Sequence, residues 1–277
     1  MIKKLDKKPL KSVTTERAAV MLADEPIEPC TDLSQASFLI HGDRKIGKTS
    51  LLAEFPDPYF LMFEQGGKFL RIRQTYIESW DYFLDVLDAL EQKFEANPEY
   101  AKTIIIDPGY LMYERCFEYI LRINNITDVR DEGWGNGWKM VEAEFRKQNT
   151  RLLHLPAGYV VIAHTDVEER TTPSGVKFSK NVTQLQKQAR KWFEGFVDII
   201  TYYTYDDFGK RIMRIRGSKD ITAGVRVDVD SFFKYSNGNR IETIGMGNTA
   251  KQAYKNFTLG FSNQLVAPKE GGVIKKK

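Results

Sequence analysis

Residues Gly42-Asp43-Arg44-Lys45-Ile46-Gly47-Lys48-Thr49, with Ser50 behind them, have the make-up of a loop that wraps a phosphate chain. Glycines let the backbone come close to an anion, with its N–H groups pointing inward. The apolar run Phe38-Leu39-Ile40 leads into the loop, and Ser50-Leu51-Leu52 leads out where a helix can begin. The positive end of that helix then faces the same phosphates. In such a loop Lys48 reaches the β- and γ-phosphates, and the Thr49 hydroxyl holds Mg²⁺. The expected ligand is a nucleoside triphosphate.

Three further residues end apolar runs and carry chemistry of their own. Thr103-Ile104-Ile105-Ile106 ends in Asp107, an acid suited to ordering Mg²⁺ or its water. Phe60-Leu61-Met62-Phe63 ends in Glu64, followed by Gln65-Gly66-Gly67. A carboxylate there can take a proton from water attacking the γ-phosphate; alternatively it caps the next helix. Val160-Val161-Ile162-Ala163 ends in His164, whose imidazole can hydrogen-bond the γ-phosphate or the attacking water. His41 and His154 read as structural.

The elements that position these groups follow from hydropathy. Runs at 38–40, 59–63, 103–106 and 159–163 are apolar without alternation, as in strands buried on both faces of a parallel sheet. Between them lie helical stripes: Tyr82, Phe83, Val86, Leu87 and Leu90; Leu111, Cys116, Tyr119 and Ile120; and Val141, Phe145, Leu152, Leu153 and Leu155. Strand, helix and strand with long crossovers form βαβ units, and carboxyl ends of their strands form the ligand edge. Residues 196–205 and 210–216 read as two late strands joined by the turn Asp206-Asp207-Phe208-Gly209. Residues 1–30, 168–183 and the last dozen read as mobile and polar.

Composition bounds the rest. The chain has 277 residues, with 41 Lys and Arg against 37 Asp and Glu, a formal charge of +4. That balance says little about partners. Lys3, Lys4, Lys7, Lys8 and Lys11 crowd one end and Lys275-Lys276-Lys277 the other, as solvated tails or polyanion contacts. Cys30 and Cys116 are the only cysteines and have no His at metal-ligand spacing, a reducing-compartment pattern. No apolar run reaches membrane-spanning length, and no apolar stretch follows the first lysines as in a signal peptide. A cytoplasmic protein with no membrane partner is expected.

With the phosphate loop, Phe63-Glu64-Gln65-Gly66-Gly67, Ile105-Ile106-Asp107 and Ala163-His164 in this order, the chain resembles the RecA-like, AAA-type ATPases encoded by bacteriophages. Within these it is similar to the single-strand annealing proteins of phage recombination modules. Gly135-Asn136-Gly137-Trp138 is similar to the segment that opens the helix before the fourth strand. Arg216-Gly217-Ser218-Lys219-Asp220 is similar to the basic end of a late strand, where the family places a cation that reaches a neighbouring subunit's nucleotide. The resemblance implies an α/β RecA-like P-loop NTPase fold with a mostly parallel sheet, flanking helices and a late β-hairpin. It implies ATP and Mg²⁺ as ligands, a homo-oligomer, and single-stranded DNA as partner, with a single-strand-binding protein as a second one. It implies a trans-acting finger at Lys219 or Arg216. The family's late signature often reads Lys-x-Arg, whereas Asp220 follows Lys219 here. Pro108 and Gly109, not small polar residues, follow Asp107.

The expected organisation is a basic extension over 1–30, an ATPase core over 31–245 and a C-terminal segment over 246–277. Arg170, Lys177, Phe178 and Lys180 in the polar stretch suit phosphate contacts and base stacking. Two other functions use the same loop. One is a small-molecule or nucleotide kinase, with Arg170 recruited to a lid. The other is a nucleotide-gated loader or scaffold for a helicase or single-strand-binding protein.

Overall fold

A computed structural model describes residues 25–26, 30–127, 136–226 and 231–268. The basic tails and Gly135 of the Gly135–Trp138 segment therefore lie outside the described residues. After a short 3₁₀ turn at Leu33–Gln35, the chain runs β1 (Ser37–Gly42), α1 (Lys48–Leu52), β2 (Pro58–Met62), β3 (Arg73–Tyr76), α2 (Trp80–Ala96), β4 (Thr103–Asp107) and α3 (Gly109–Ile123). It continues with α4 (Asn136–Leu153), β5 (Gly158–Thr171), β6 (Lys177–Thr183), α5 (Lys187–Phe196), β7 (Ile199–Tyr205), β8 (Arg211–Arg214), β9 (Gly224–Val225), β10 (Thr243–Gly245) and α6 (Ala250–Phe261). The sheet order is β10-β8-β7-β1-β5-β4-β2-β3, with β6 on β5 and β9 on β7. The pairs among β7, β1, β5, β4, β2 and β3 are parallel; β8 and β10 add antiparallel edges. This is an α/β P-loop NTPase fold, with helices on both faces of a mixed sheet.

The continuous apolar runs follow from that sandwich. Side chains alternate faces along a strand, so both faces need apolar cover. Leu39, Ile104, Ile106 and Val161 pack under α2 to α5 with Trp80, Phe83, Phe145 and Phe193. Phe38, Ile40, Ile105, Val160 and Ile162 pack under α1 and α6 with Leu51, Leu52 and Phe257. Helix α2 shows how one layer is set. Ser79 caps it by accepting from Tyr82 N, and Trp80, Phe83, Leu87, Leu90 and Phe94 share its buried stripe. Helix α6, within the stretch set apart as a C-terminal segment, packs on α1 in the second layer.

Four sequence expectations change. The polar stretch 168–183 is no loop: β5 runs on to Thr171 and pairs antiparallel with β6, from Thr165↔Thr183 to Thr171↔Lys177. Its polar composition reflects solvent on both sides of a two-stranded arm rather than lack of order. Residues 187–196 form α5, so the late strand starts at Ile199 instead of Phe196. Strand β8 ends at Arg214; the chain then leaves β7 and rejoins it as β9. The helical stripe read as running to Leu155 stops at Leu153, which leaves His154 just past α4.

Candidate functional site

Strand β1 delivers the phosphate loop at the carboxyl edge of the sheet. Gly42 is required by packing: a Cβ there would lie 2.0 Å from the Tyr203 carbonyl oxygen on β7. Gly47 sits at φ 105°, a left-handed conformation that glycine adopts without strain, and helix α1 starts at the next residue. Ile46 is fully buried in the second apolar layer and anchors the loop from below. Asp43 turns away from the loop: its N–H donates to Tyr203 O and its carboxylate accepts from the Thr204 hydroxyl at 3.0 Å. Gly42, Asp43 and Ile46 thus shape the loop from behind. Arg44, Lys45 and Gly47 to Ser50 line a cavity of about 420 Å³, together with Glu64, Asp107, Ile162 and His164.

Lys48 is buried and donates to Gly42 O at 2.9 Å and Asp43 O at 2.8 Å. Burial lowers its pKa to about 8, against Asp107, Asp43 and Glu64, which hold the proton on. It stays mainly a cation at neutral pH. Its Nζ lies 3.4 Å from His164 Nδ1, which accepts. Burial, Lys48 and Arg44 together lower the His164 pKa to about 4. The imidazole is therefore neutral near pH 7, and its Nε2–H is left to donate. The Thr49 hydroxyl donates to Asp107 Oδ2 at 2.8 Å. Burial raises Asp107 to about 6, with Glu64 adding to the rise and Thr49 and Lys48 opposing it. A divalent cation would pull that pKa back down.

The donor set fits Mg²⁺. Among the described residues no three His, Cys, Asp or Glu side chains form a metal cage. Thr49 and Asp107 offer adjacent oxygens beside the phosphate loop. Mg²⁺ commonly takes one or two protein oxygens and completes its shell with phosphate oxygens and water.

His41 has a different task. Its Nε2 meets Thr222 O at 2.6 Å, so that nitrogen carries the proton, and Nδ1 accepts from the Thr165 hydroxyl at 2.9 Å. Its ring stacks on Tyr202. Burial lowers its pKa to about 4. His41 thus ties the phosphate-loop strand to the base of the β5–β6 arm and to the loop before β9.

Arg216 and Lys219 lie away from their own chain's phosphate cavity. Because β8 is antiparallel, Arg211 starts it at the carboxyl edge opposite Tyr205, and Arg216 follows its other end. Burial lowers the Arg216 pKa, with Glu242 opposing and Arg240 adding. Lys219 is exposed on the loop before β9. That loop returns to the arm: Asn181 N–H donates to Asp220 O, and Thr222 N–H donates to Asn181 O.

Two neighbours of the cavity carry no signal in the sequence by themselves. Tyr110, in the first turn of α3, has its ring 6.1 Å from that of His164. It is the third residue after Asp107, a position that a helix starting at the carboxyl edge brings to the site. Arg211 has its Nη1 3.9 Å from where a Gly47 Cβ would lie, and donates to Asn248 O at 3.4 Å. Its placement depends on the register of β8 against β7, which no local pattern reveals.

The family model for the AAA domain matches residues 34–227, from the turn before β1 through β9, and includes the phosphate loop, Glu64, Asp107, His164, Arg216 and Lys219. The chain belongs to the AAA family of ATPases. AAA domains bind and hydrolyse ATP, and the match includes the phosphate loop. None of the curated proteins matches the chain. No helix among the described residues of this AAA protein is long and apolar enough to cross a membrane.

Proposed function

We propose that this AAA protein hydrolyses ATP as a homo-oligomer working on single-stranded DNA, in phage-type recombination, annealing or replication. Lys48 reaches the β- and γ-phosphates once it leaves the carbonyls of Gly42 and Asp43. Thr49 and Asp107 hold Mg²⁺, which when bound neutralises phosphate charge. Glu64 accepts a proton from the attacking water, and neutral His164 donates to the γ-phosphate or to that water. Lys219, or Arg216, reaches the nucleotide of a neighbouring subunit and stabilises charge on the γ-phosphate during transfer.

The observation that carries this reading is convergence. Lys48, Thr49, Glu64, Asp107 and His164 come from four strand ends, and all of them line one cavity. The strand that ends at His164 in the core continues directly into the arm that bears Arg170, Lys177, Phe178 and Lys180. This supports a reading in which β5 links the nucleotide site to a polymer contact on the arm. Arg170 pairs with Glu168 at 3.0 Å on that arm.

The test is ATP turnover without any acceptor, with and without single-stranded DNA. ADP and phosphate should form, faster with DNA. Turnover only with a small-molecule acceptor would favour a kinase. Turnover that is very slow and indifferent to DNA would favour a nucleotide-gated loader for a helicase or single-strand-binding protein.

A further inference from the structure

Two turns of the molecule present a phenylalanine almost wholly to solvent. Phe208, between β7 and β8, is 86% exposed and has Asp206 and Asp207 before it. Phe69, between β2 and β3, is 102% exposed and stands between Lys68 and Arg71. The second turn is closed by Leu70 N–H donating to Gly67 O at 2.9 Å, with Gly67 at φ 71°. A closed turn holds Phe69 outward at little entropic cost to a ligand that stacks on it. Among the described residues, neither Lys68 nor Arg71 has a hydrogen-bond or ion-pair partner. The acidic turn repels a polyanion, and the basic one attracts it.

Behind the basic turn lies a second cavity, of about 390 Å³, lined by Met62, Glu64, Gln65, Lys68, Gln74 and Tyr76. Glu64 is the wall that it shares with the phosphate cavity. Its chemistry is specific in kind. Tyr76, 43% exposed, offers a ring face, Met62 a thioether, and the two glutamines offer amides that both donate and accept. A flat heteroaromatic ring with donors and acceptors on its edge fits such a lining.

We infer that the Gly67–Leu70 turn and the cavity behind it are a contact for single-stranded nucleic acid, in which a base stacks on Phe69, the next enters against Tyr76, and Lys68 and Arg71 meet the flanking phosphates. This rests on the reading of the chain as a single-strand-dependent ATPase. It adds a contact apart from the β5–β6 arm, and one that touches the proposed base directly. A base in this cavity restricts the Glu64 carboxylate from one side while water and the γ-phosphate lie on the other. Occupancy of the strand site therefore favours the hydrolytic position of Glu64.

The experiment measures anisotropy of labelled oligo(dT) with the full chain and a non-hydrolysable ATP analogue, for the parent, Phe69→Ala and Phe69→Trp. It also maps photocrosslinks from a bromouracil-substituted strand. Phe69→Ala should bind about tenfold more weakly, because each stacked base contributes on that scale, and Phe69→Trp should bind like the parent. The Lys68→Ala/Arg71→Ala double variant should flatten the salt dependence of log K by roughly 1.4, or about 0.7 per phosphate contact. Crosslinks should fall within residues 65–76, and the ratio of DNA-stimulated to basal turnover should drop in Phe69→Ala. Parent-like affinity of Phe69→Ala, with crosslinks confined to residues 165–183, would overturn this inference and leave the wider reading standing. A parent that neither binds oligo(dT) nor responds to it would overturn both. If Phe69→Ala changes only the sedimentation of the DNA-free protein, the turn is a subunit contact and the inference fails.

Discussion

Strands β1 and β5 lie side by side and reach the carboxyl edge together, yet the chain beyond each of them differs in kind. After β1 the chain turns at once, and buried partners fix it: Gly42 against Tyr203 O, Ile46 in the core, Lys48 on two carbonyls, Thr49 on Asp107. After β5 the chain runs on into solvent as the arm. From Thr165 to Thr171 it extends roughly 20 Å, at about 3.4 Å per residue. Its ladder bonds are to β6 alone, Val167 is 59% exposed, and Glu168 is held by Arg170 and Arg190. The first region is specified by sterics and buried hydrogen bonds. The second is specified by backbone pairing and surface charge, which leaves its side chains free to meet a partner. Changes in the two regions should therefore fail differently.

The largest effect is expected at Lys48. On the proposed function Lys48→Ala removes the cation that meets the phosphates, and saturable ATP binding should vanish, with turnover down by roughly 10³-fold or more. Calorimetric titration checks it; a folded variant that binds and hydrolyses ATP like the parent would detach the loop from the nucleotide. Asp107→Asn comes next. It keeps the Thr49 hydrogen bond but drops the charge, and should reduce Mg²⁺-dependent turnover by roughly 10- to 100-fold. A magnesium titration of the rate reads this as a raised half-saturating concentration.

The phosphate region is also the more legible one in the sequence. Gly42, Gly47, Lys48 and Thr49 sit at fixed offsets in one short segment, and the runs ending in Glu64, Asp107 and His164 are apolar because both faces of their strands are covered. Even the structural role of His41 is accessible, though its partners Thr165 and Thr222 are not. The arm reads as a loop because alternation carries no signal when neither face is buried. Helix α5 is hidden for another reason. Its apolar residues Ala189, Trp192, Phe193 and Phe196 run directly into Ile199 and Ile200, so helix and strand share one apolar stretch. Strand β3, Arg73–Tyr76, is a half-exposed edge without an apolar run. Arg211 and the loop before β9 depend on long-range register, which local spacing does not encode.

On the arm, a joint Lys177→Ala/Lys180→Ala change should leave the thermal midpoint within about 1 °C, since Lys177 is exposed, Lys180 is only half-buried, and surface charges contribute little to stability. It should lower single-strand affinity several-fold at low salt, by less at high salt. A loss of folding there would mean that the arm is specified like the loop, and the contrast between the two regions would fall.

A further effect concerns pH. His41 and His164 both sit near pKa 4 in the folded chain, below the 6.5 of an unperturbed histidine. Between those values the unfolded chain holds more protons, so stability falls as pH drops from 6.5 toward 4. Asp107, raised to about 6, works in the opposite direction over the same range. The fully buried His41 outweighs it, and urea unfolding should show a net loss of roughly 1–2 kcal/mol between pH 7 and pH 5. A midpoint that rises on acidification would contradict the neutral histidines.

On the proposed function, ATP is hydrolysed in the cavity between the phosphate loop, Asp107 and His164, with Glu64 handling the water. Glu64→Gln separates binding from chemistry, because the amide keeps the shape and loses the base. A single-turnover assay on this variant, with ATP affinity measured in parallel, is the most direct test. Parent-like affinity is expected, with a hydrolysis step slower by roughly 10²–10⁴-fold. Hydrolysis at the parent rate with ATP bound would make Glu64 a structural cap and contradict the claim.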